Sequence, residues 1–165
     1  MADVGVVMPV YRQDPHYLNL ALQSILNQSY TNFLLVIVLD GSPPETTNQI
    51  RQLTAHRANV HIITLPENKG VSNALNTGFS YLDQIQEIQY YTWVPSDNIH
   101  YRHFIETLRR NLTAAPSNVG LVYSSFYHID AHGTRVQTEH FKEFMEHQNQ
   151  PKSVLLDYCF VGVSF

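Results

Sequence analysis

Ser96, Asp97 and Asn98 follow directly on the apolar residues of WVP (93–95), so a carboxylate flanked by two neutral oxygen donors stands where a buried strand should end. A set so rich in oxygen and so poor in protein ligands suits Mg2+ or Mn2+, with diphosphate oxygens and water completing the coordination. The same residue types cap helices, and a helix beginning near Tyr101 would give Asp97 or Asn98 that plainer task. A second carboxylate, Asp40, closes the apolar run FLLVIVL of residues 33–39. An ionised group is costly there unless paired or wet. It can accept from the imide N–H of a uracil or from a sugar hydroxyl, or form an Asx turn ahead of Gly41. Tyr11 offers a ring to stack on a base or to cover the sheet edge. Lys69 offers a cation to phosphate, to a base or only to solvent.

The elements that must position these residues follow from the apolar pattern. Residues 4–8 (VGVVM) and 33–39 are continuous β-branched and apolar runs, the mark of strands covered on both faces. Between them, residues 16–28 carry Leu18, Leu22, Ile25 and Leu26 at helical spacing, which makes a βαβ unit. The alternation continues with a helix from Pro44 to about Arg57 and a strand over 60–65. A helical face of Val71, Ala74, Leu75, Phe79 and Leu82 comes next, then a strand over 90–94. A helix over about 102–112, with Phe104, Ile105 and Leu108 inward, leads to a strand over 119–124. This is an α/β pattern: a mostly parallel sheet with helices on both faces.

After Ser125 the rhythm changes. SFYHIDAHGTRVQT reads as a hairpin turning at Ala131-His132-Gly133, and residues 139–147 read as a short helix. VLLDYCFVGVSF (154–165) has a strand pattern and no polar tail, so the chain is expected to be cut inside a larger protein.

In open α/β sheets, ligands bind beyond the carboxyl ends of the strands. Those ends carry Pro9-Val10-Tyr11, Asp40-Gly41-Ser42, Glu67-Asn68-Lys69-Gly70 and Ser96-Asp97-Asn98. All four groups are expected on one rim.

Composition narrows the classes. At 165 residues the chain is one domain by size, and its net charge of −4 with 15% charged residues gives no general attraction for nucleic acid or anionic membrane. One cysteine, Cys159, excludes a disulfide framework within the chain and a four-thiolate zinc site, and the nine histidines show no zinc spacing. Neither phosphate-binding glycine fingerprint, G-x-x-x-x-G-K-[ST] or G-x-G-x-x-G, occurs. There is no signal-peptide pattern and no apolar run approaching the roughly 20 residues of a membrane span, so the chain reads as cytoplasmic.

Three blocks carry a family resemblance: residues 4–50 beginning VGVVMPVYRQDP, then LPENKGVSNALNTGF, then WVPSDNIHYRHFIETL. In order and spacing they resemble the family 2 glycosyltransferases, inverting enzymes of the GT-A fold, over about residues 4–130. The blocks SDNIHY and VYSSFYHID are most similar to the SpsA-type bacterial transferases. The resemblance implies one GT-A catalytic domain over 1–165 whose acceptor-side part lies beyond the chain. It implies binding of a UDP or dTDP sugar through Pro9, Val10, Tyr11, Asp40, Lys69 and Ser96. It further implies Mg2+ or Mn2+ at Asp97, and an acceptor that is a saccharide or lipid-linked glycan. Pro95 stands where the family usually has a first acid, so one carboxylate carries the cation. The family's general base is expected beyond Phe165. A non-catalytic nucleotide-binding or scaffold module is the alternative. A sugar-phosphate nucleotidyltransferase would need a glycine-rich basic loop that PVYRQDP does not supply.

Overall fold

The computed structural model describes residues 2–136, which fall in two compact units meeting at Gly120 and Leu121. In the first, β1 (Val4–Val10), β2 (Phe33–Asp40), β3 (Val60–Leu65) and β4 (Tyr90–Trp93) form a parallel sheet in the order β3-β2-β1-β4. The connecting helices are α1 (Pro15–Leu26), α2 (Pro44–Thr54) and α3 (Val71–Leu82), with α4 (Phe104–Ala114) after β4. No helix among the described residues is long and apolar enough to cross a membrane.

The continuous apolar runs of β1 and β2 are explained by burial on both faces. Val6, Met8, Leu35, Ile37 and Leu39 pack against Leu18, Leu22 and Ile25 of α1, Ile50 of α2 and Phe104 and Ile105 of α4. Val7, Val36 and Val38 point the other way, onto Ala74 and Leu82 of α3. The α3 stripe runs Ala74-Gly78-Leu82, and Val71, expected inward, stays 54% exposed in the first turn. Gly78 is part of this stripe because there is no room for more: a Cβ added there would lie 2.5 Å from Val7 Cγ1. Gly5 on β1 is its counterpart, where a Cβ would meet Leu82 Cδ1 at 2.6 Å.

At the amino ends of the strands, Asp3 accepts from Tyr30 Oη (2.5 Å) and from Arg109 Nε (2.8 Å), and Arg109 Nη2 lies 2.6 Å from the same carboxylate. The guanidinium sits over the rings of Tyr30 and Tyr90. Burial pushes the Asp3 carboxyl up, but the bonds from Tyr30 and Arg109 and the guanidinium's charge outweigh it and hold it below the usual carboxylate range. This cluster ties α4 to the start of β1, at the edge opposite the candidate site.

Three boundaries differ from the sequence reading. The sequence places Pro9 and Val10 in a loop, but β1 runs on through both, with Pro9 paired to Val38 and Val10 to Leu39 of β2. α4 begins two residues later than expected, at Phe104, because His103 is its N-cap. Residues 119–124 form no strand: an apolar run becomes one only where a neighbour completes its ladder, and none does among the described residues.

In the second unit the expected hairpin forms as β5 (His128–Ile129) against β6 (Arg135–Val136), antiparallel. Asp130 Oδ1 accepts from the backbone N–H of His132 and Thr134, and Gly133 takes φ 77°. The helix expected over 139–147 and the strand expected over 154–165 lie outside the described residues.

Replacing Gly78 with valine should overpack the α3–β1 contact. The urea midpoint is expected to fall by the equivalent of about 3 kcal/mol with an unchanged slope, the upper end of the range for an extra side chain in a packed core.

Candidate active site

Because all four strands run one way, their carboxyl ends share an edge, and the loops leaving them line up in strand order. The Lys69 loop stands beside the Asp40 loop, that beside the Tyr11 loop, and that beside the Asp97 loop. At about 4.8 Å per strand the two outer loops lie roughly 14 Å apart.

Side chains stitch each loop to the next. Asp40 Oδ1 accepts from the Lys69 N–H (3.0 Å) and Oδ2 from the Gly70 N–H (2.9 Å), while Asn68 Nδ2 donates to the Asp40 carbonyl (3.2 Å). Gly41, at φ 64°, lets these loops touch: a Cβ there would come within 2.4 Å of the Asn68 nitrogen. Ser42 Oγ donates to the Val10 carbonyl at 2.9 Å, and Gln13 Nε2 reaches Ser96 Oγ at 3.4 Å. The sequence pattern named Ser42 and Asn68 only as members of rim groups, and Gln13 not at all. The Asp-Gly pair at 40–41 was a legible turn signal.

Pro9 explains where the rim opens. The β1–β4 ladder ends at the pair Val7↔Trp93, closed by a bond from the Val94 N–H to the Val7 carbonyl. In a parallel ladder alternate residues face the same neighbour, so the backbone of Pro9 turns toward β4, where it has no N–H to give. Pro95 stands at the matching register but turns its backbone away from β1, since it is Val94 whose N–H faces that strand. Pairing therefore continues only between β1 and β2, up to Val10↔Leu39. The interval left between β1 and β4 is the one that Gln13 and Ser96 bridge.

The individual side chains are placed as follows. Asp97 lies in an exposed turn and takes no hydrogen bond among the described residues. It is not a cap, since α4 starts at Phe104 with His103 as N-cap. Tyr11 is 39% exposed, with the Arg12 guanidinium 5.4 Å from its ring centroid. Lys69 is exposed but ion-paired, its Nζ 3.1 Å from Glu67 Oε1. Val10 is buried in the core and Pro9 half-buried in the strand, so their contribution to the edge is through backbone. Asp40 is buried too, with both oxygens engaged. Among the described residues no three of His, Cys, Asp and Glu gather into a metal cluster. A lone exposed carboxylate beside two neutral oxygen donors fits a Mg2+ or Mn2+ ion that takes most of its ligands from a bound phosphate and water.

The loop that bears Asp97 is anchored to α1 and to the turn just beyond its C-cap. Gln28, buried, donates from Nε2 to the Tyr101 carbonyl (2.8 Å) and accepts at Oε1 from the Ile105 N–H (3.0 Å). The His100 N–H donates to Ser24 Oγ at 3.0 Å, and its ring packs on Phe104 with centroids 4.7 Å apart.

With this arrangement in view, the comparisons with known proteins identify the family. A family model described as glycosyl transferase family 2 matches residues 5–164, and the chain belongs to that family. An uncharacterized glycosyltransferase of Rickettsia felis is 29% identical over 136 residues, which is 81% of this chain and 21% of that protein. Glycosyltransferase GlyA of Streptococcus pneumoniae is 29% identical over 118 residues, 72% of this chain and 16% of that one. The chain thus spans only a minor part of these relatives. Among solved structures, mannosyltransferase PcManGT of Pyrobaculum calidifontis, bound to GDP-Man and Mn2+, matches with TM-score 0.58 at 20% identity over 70% of this chain and 33% of its own. A fragment of S. aureus TarS in complex with UDP matches with TM-score 0.54 at 23% identity, over 67% of this chain and 31% of its own. The fold is the GT-A fold that the sequence blocks suggested.

Burial lowers the His100 pKa to about 4, against an ordinary value of 6.5, so the folded chain holds this ring neutral. Between those values the unfolded chain binds a proton that the folded chain refuses, so stability rises with pH across the window. Acidification from pH 6.5 to 4 should cost up to about 3 kcal/mol. Urea midpoints measured across that window check it, and His100→Phe should flatten the dependence.

Proposed function

We propose that the rim binds a nucleoside diphosphate sugar, a UDP or dTDP sugar, with Mg2+ or Mn2+ at Asp97, and that the intact protein transfers the sugar to an acceptor hydroxyl with inversion. The observation that carries this reading is Asp97 itself: an exposed carboxylate relieved of any capping duty, on the same sheet edge as Tyr11 and Lys69. Family membership supports it, as do two neighbours of the same fold, one solved with UDP and one with GDP-Man and Mn2+.

Each residue has a physical task in this reading. Tyr11 supplies a half-exposed ring on which a base stacks, a contact that every base can make. Lys69 gives a cation for phosphate, released from its exposed and therefore weak pair with Glu67. Ser96 and Asn98 flank Asp97 as neutral donors for ribose or for ordered water. Pro9 borders the interval between β1 and β4 through its backbone, and the Val10 carbonyl holds Ser42 of the neighbouring loop. The divalent ion, when bound, neutralises the charge that grows on the departing diphosphate, an effect worth several kcal/mol in enzymes of this kind of chemistry. A general base for the acceptor hydroxyl, worth about 10² to 10⁴ in rate, belongs to sequence beyond Phe165. The acceptor is a saccharide or a lipid-linked glycan.

Calorimetry of UDP with and without Mn2+ tests the site. Asp97→Ala is expected to abolish the metal-dependent part of the affinity, about tenfold or more, while leaving the metal-free part in place. An unchanged metal dependence in the variant would refute a cation at Asp97. A wild-type chain that binds UDP without hydrolysing or transferring any UDP sugar, even when extended through the family's downstream segment, would favour the non-catalytic alternative.

A further inference from the structure

We infer that Gln28 is a positioning residue for Asp97: its buried amide caps α4 from outside and holds the run that leads into that helix, which leaves the carboxylate to a cation. The inference rests on the donor-binding reading above and deepens it. Gln28 lies just beyond the C-cap of α1, is only 6% exposed, and commits its whole amide to backbone. Nε2 donates to the Ser24 carbonyl (2.9 Å) and to the Tyr101 carbonyl (2.8 Å), and Oε1 accepts from the Ile105 N–H (3.0 Å). A buried amide matched in this way admits one orientation and fixes the groups it touches.

Ile105 is the second residue of α4. His103, the N-cap of that helix, makes no side-chain cap bond, so the Ile105 N–H would have no acceptor among the described residues but for Gln28. An amide from another element thus fills the place that an aspartate, asparagine or serine takes at an ordinary cap. Asp97 and Asn98 are residues of that chemistry a few positions upstream, and the positive end of a helix attracts a carboxylate. With Gln28 in place that demand is met, and Asp97 stays in its exposed turn. The same stretch grips the loop at two further points: the Ser29 N–H donates to the Arg102 carbonyl (2.8 Å), and Ser24 Oγ accepts from the His100 N–H (3.0 Å). The His100 ring in turn bonds the backbone of Asn98, the residue after Asp97. The hold runs from the last turn of α1 through residues 100–105 to within one residue of the carboxylate, and it sets where on the rim that carboxylate can meet an ion.

The full 165-residue chain is titrated with UDP, with and without Mn2+, as wild type, Asp97→Ala, Gln28→Leu and the double variant. Leucine keeps most of the bulk of glutamine in its buried place but neither donates nor accepts. Gln28→Leu is expected to lose about tenfold in the Mn2+-dependent part of the UDP affinity and nothing in the Mn2+-free part, the size of loss typical when a group behind a metal ligand is removed. The double variant should bind like Asp97→Ala alone, because both changes act through one carboxylate. Ser24→Ala, which deletes only the acceptor of the His100 N–H, should lose about threefold in the same part, and Ser24→Thr should restore it. That arm carries the test if Gln28→Leu fails to fold. Equal losses with and without Mn2+, or a loss that adds to that of Asp97→Ala, would make Gln28 a structural anchor only and overturn the inference. An unchanged Mn2+-dependent part in folded Gln28→Leu, or in Ser24→Ala, would overturn it as well. If wild type binds no UDP or binds it without help from Mn2+, or if Asp97→Ala keeps the metal dependence, the donor-binding reading itself fails, and this is known before any variant at 28 or 24 is made.

Discussion

The candidate site depends on a ladder that stops on one side of a strand and continues on the other. β1 is hydrogen-bonded to β2 along its whole length but to β4 only as far as Val7. Past that point Pro9 turns its backbone toward β4 and has no N–H to donate. A parallel sheet is otherwise a closed object, with every backbone group in its interior committed. Ending one ladder early frees an interval at the sheet's carboxyl edge without opening the core, and the residues best suited to bind an anionic ligand and its counterion stand on either side of it.

The loops on that interval are held by different means. On the β2–β3 side the hold is electrostatic and buried, with a carboxylate set against two backbone N–H groups. On the β1–β4 side it is a single bond of 3.4 Å between Gln13 and Ser96, with the rest of the Asp97 loop pinned from beneath by Gln28 and His100. Asp97 is thus carried on a loop that is firm at its downstream end and lightly held at its tip. Under the proposed reading, that combination lets the carboxylate adjust to an arriving ion while its approach stays fixed.

Much of this architecture was legible in the residues. Strands buried on both faces announce themselves as unbroken β-branched runs, and β2 and β3 appear almost to the residue. The order of the loops along the rim then follows from parallel pairing alone. What escaped was governed by partners distant in sequence. The end of β1 depended on which neighbour Pro9 faces, and periodicity carries no such information. Residues 119–124 have the composition of a strand but lack a ladder among the described residues. Asp40 was recognisable as a costly group needing a partner, yet its partners are main-chain donors about 30 residues away, invisible to any side-chain pattern. Asp97, by contrast, was read with two meanings, and the late start of α4 removes one of them.

The paired vacancies at Gly5 and Gly78 carry a mechanical corollary. Val7 sits in the notch of Gly78 while Leu82 sits in the notch of Gly5, like teeth of two facing racks. Advancing α3 by one residue, about 1.5 Å, would drive a full side chain against β1. The helix is therefore keyed to the sheet and cannot slide along it. Any travel of the Lys69 ammonium toward an arriving anion has to be absorbed in the short run from Pro66 to Gly70 and in the lysine's own rotamers, with α3 serving as a fixed abutment.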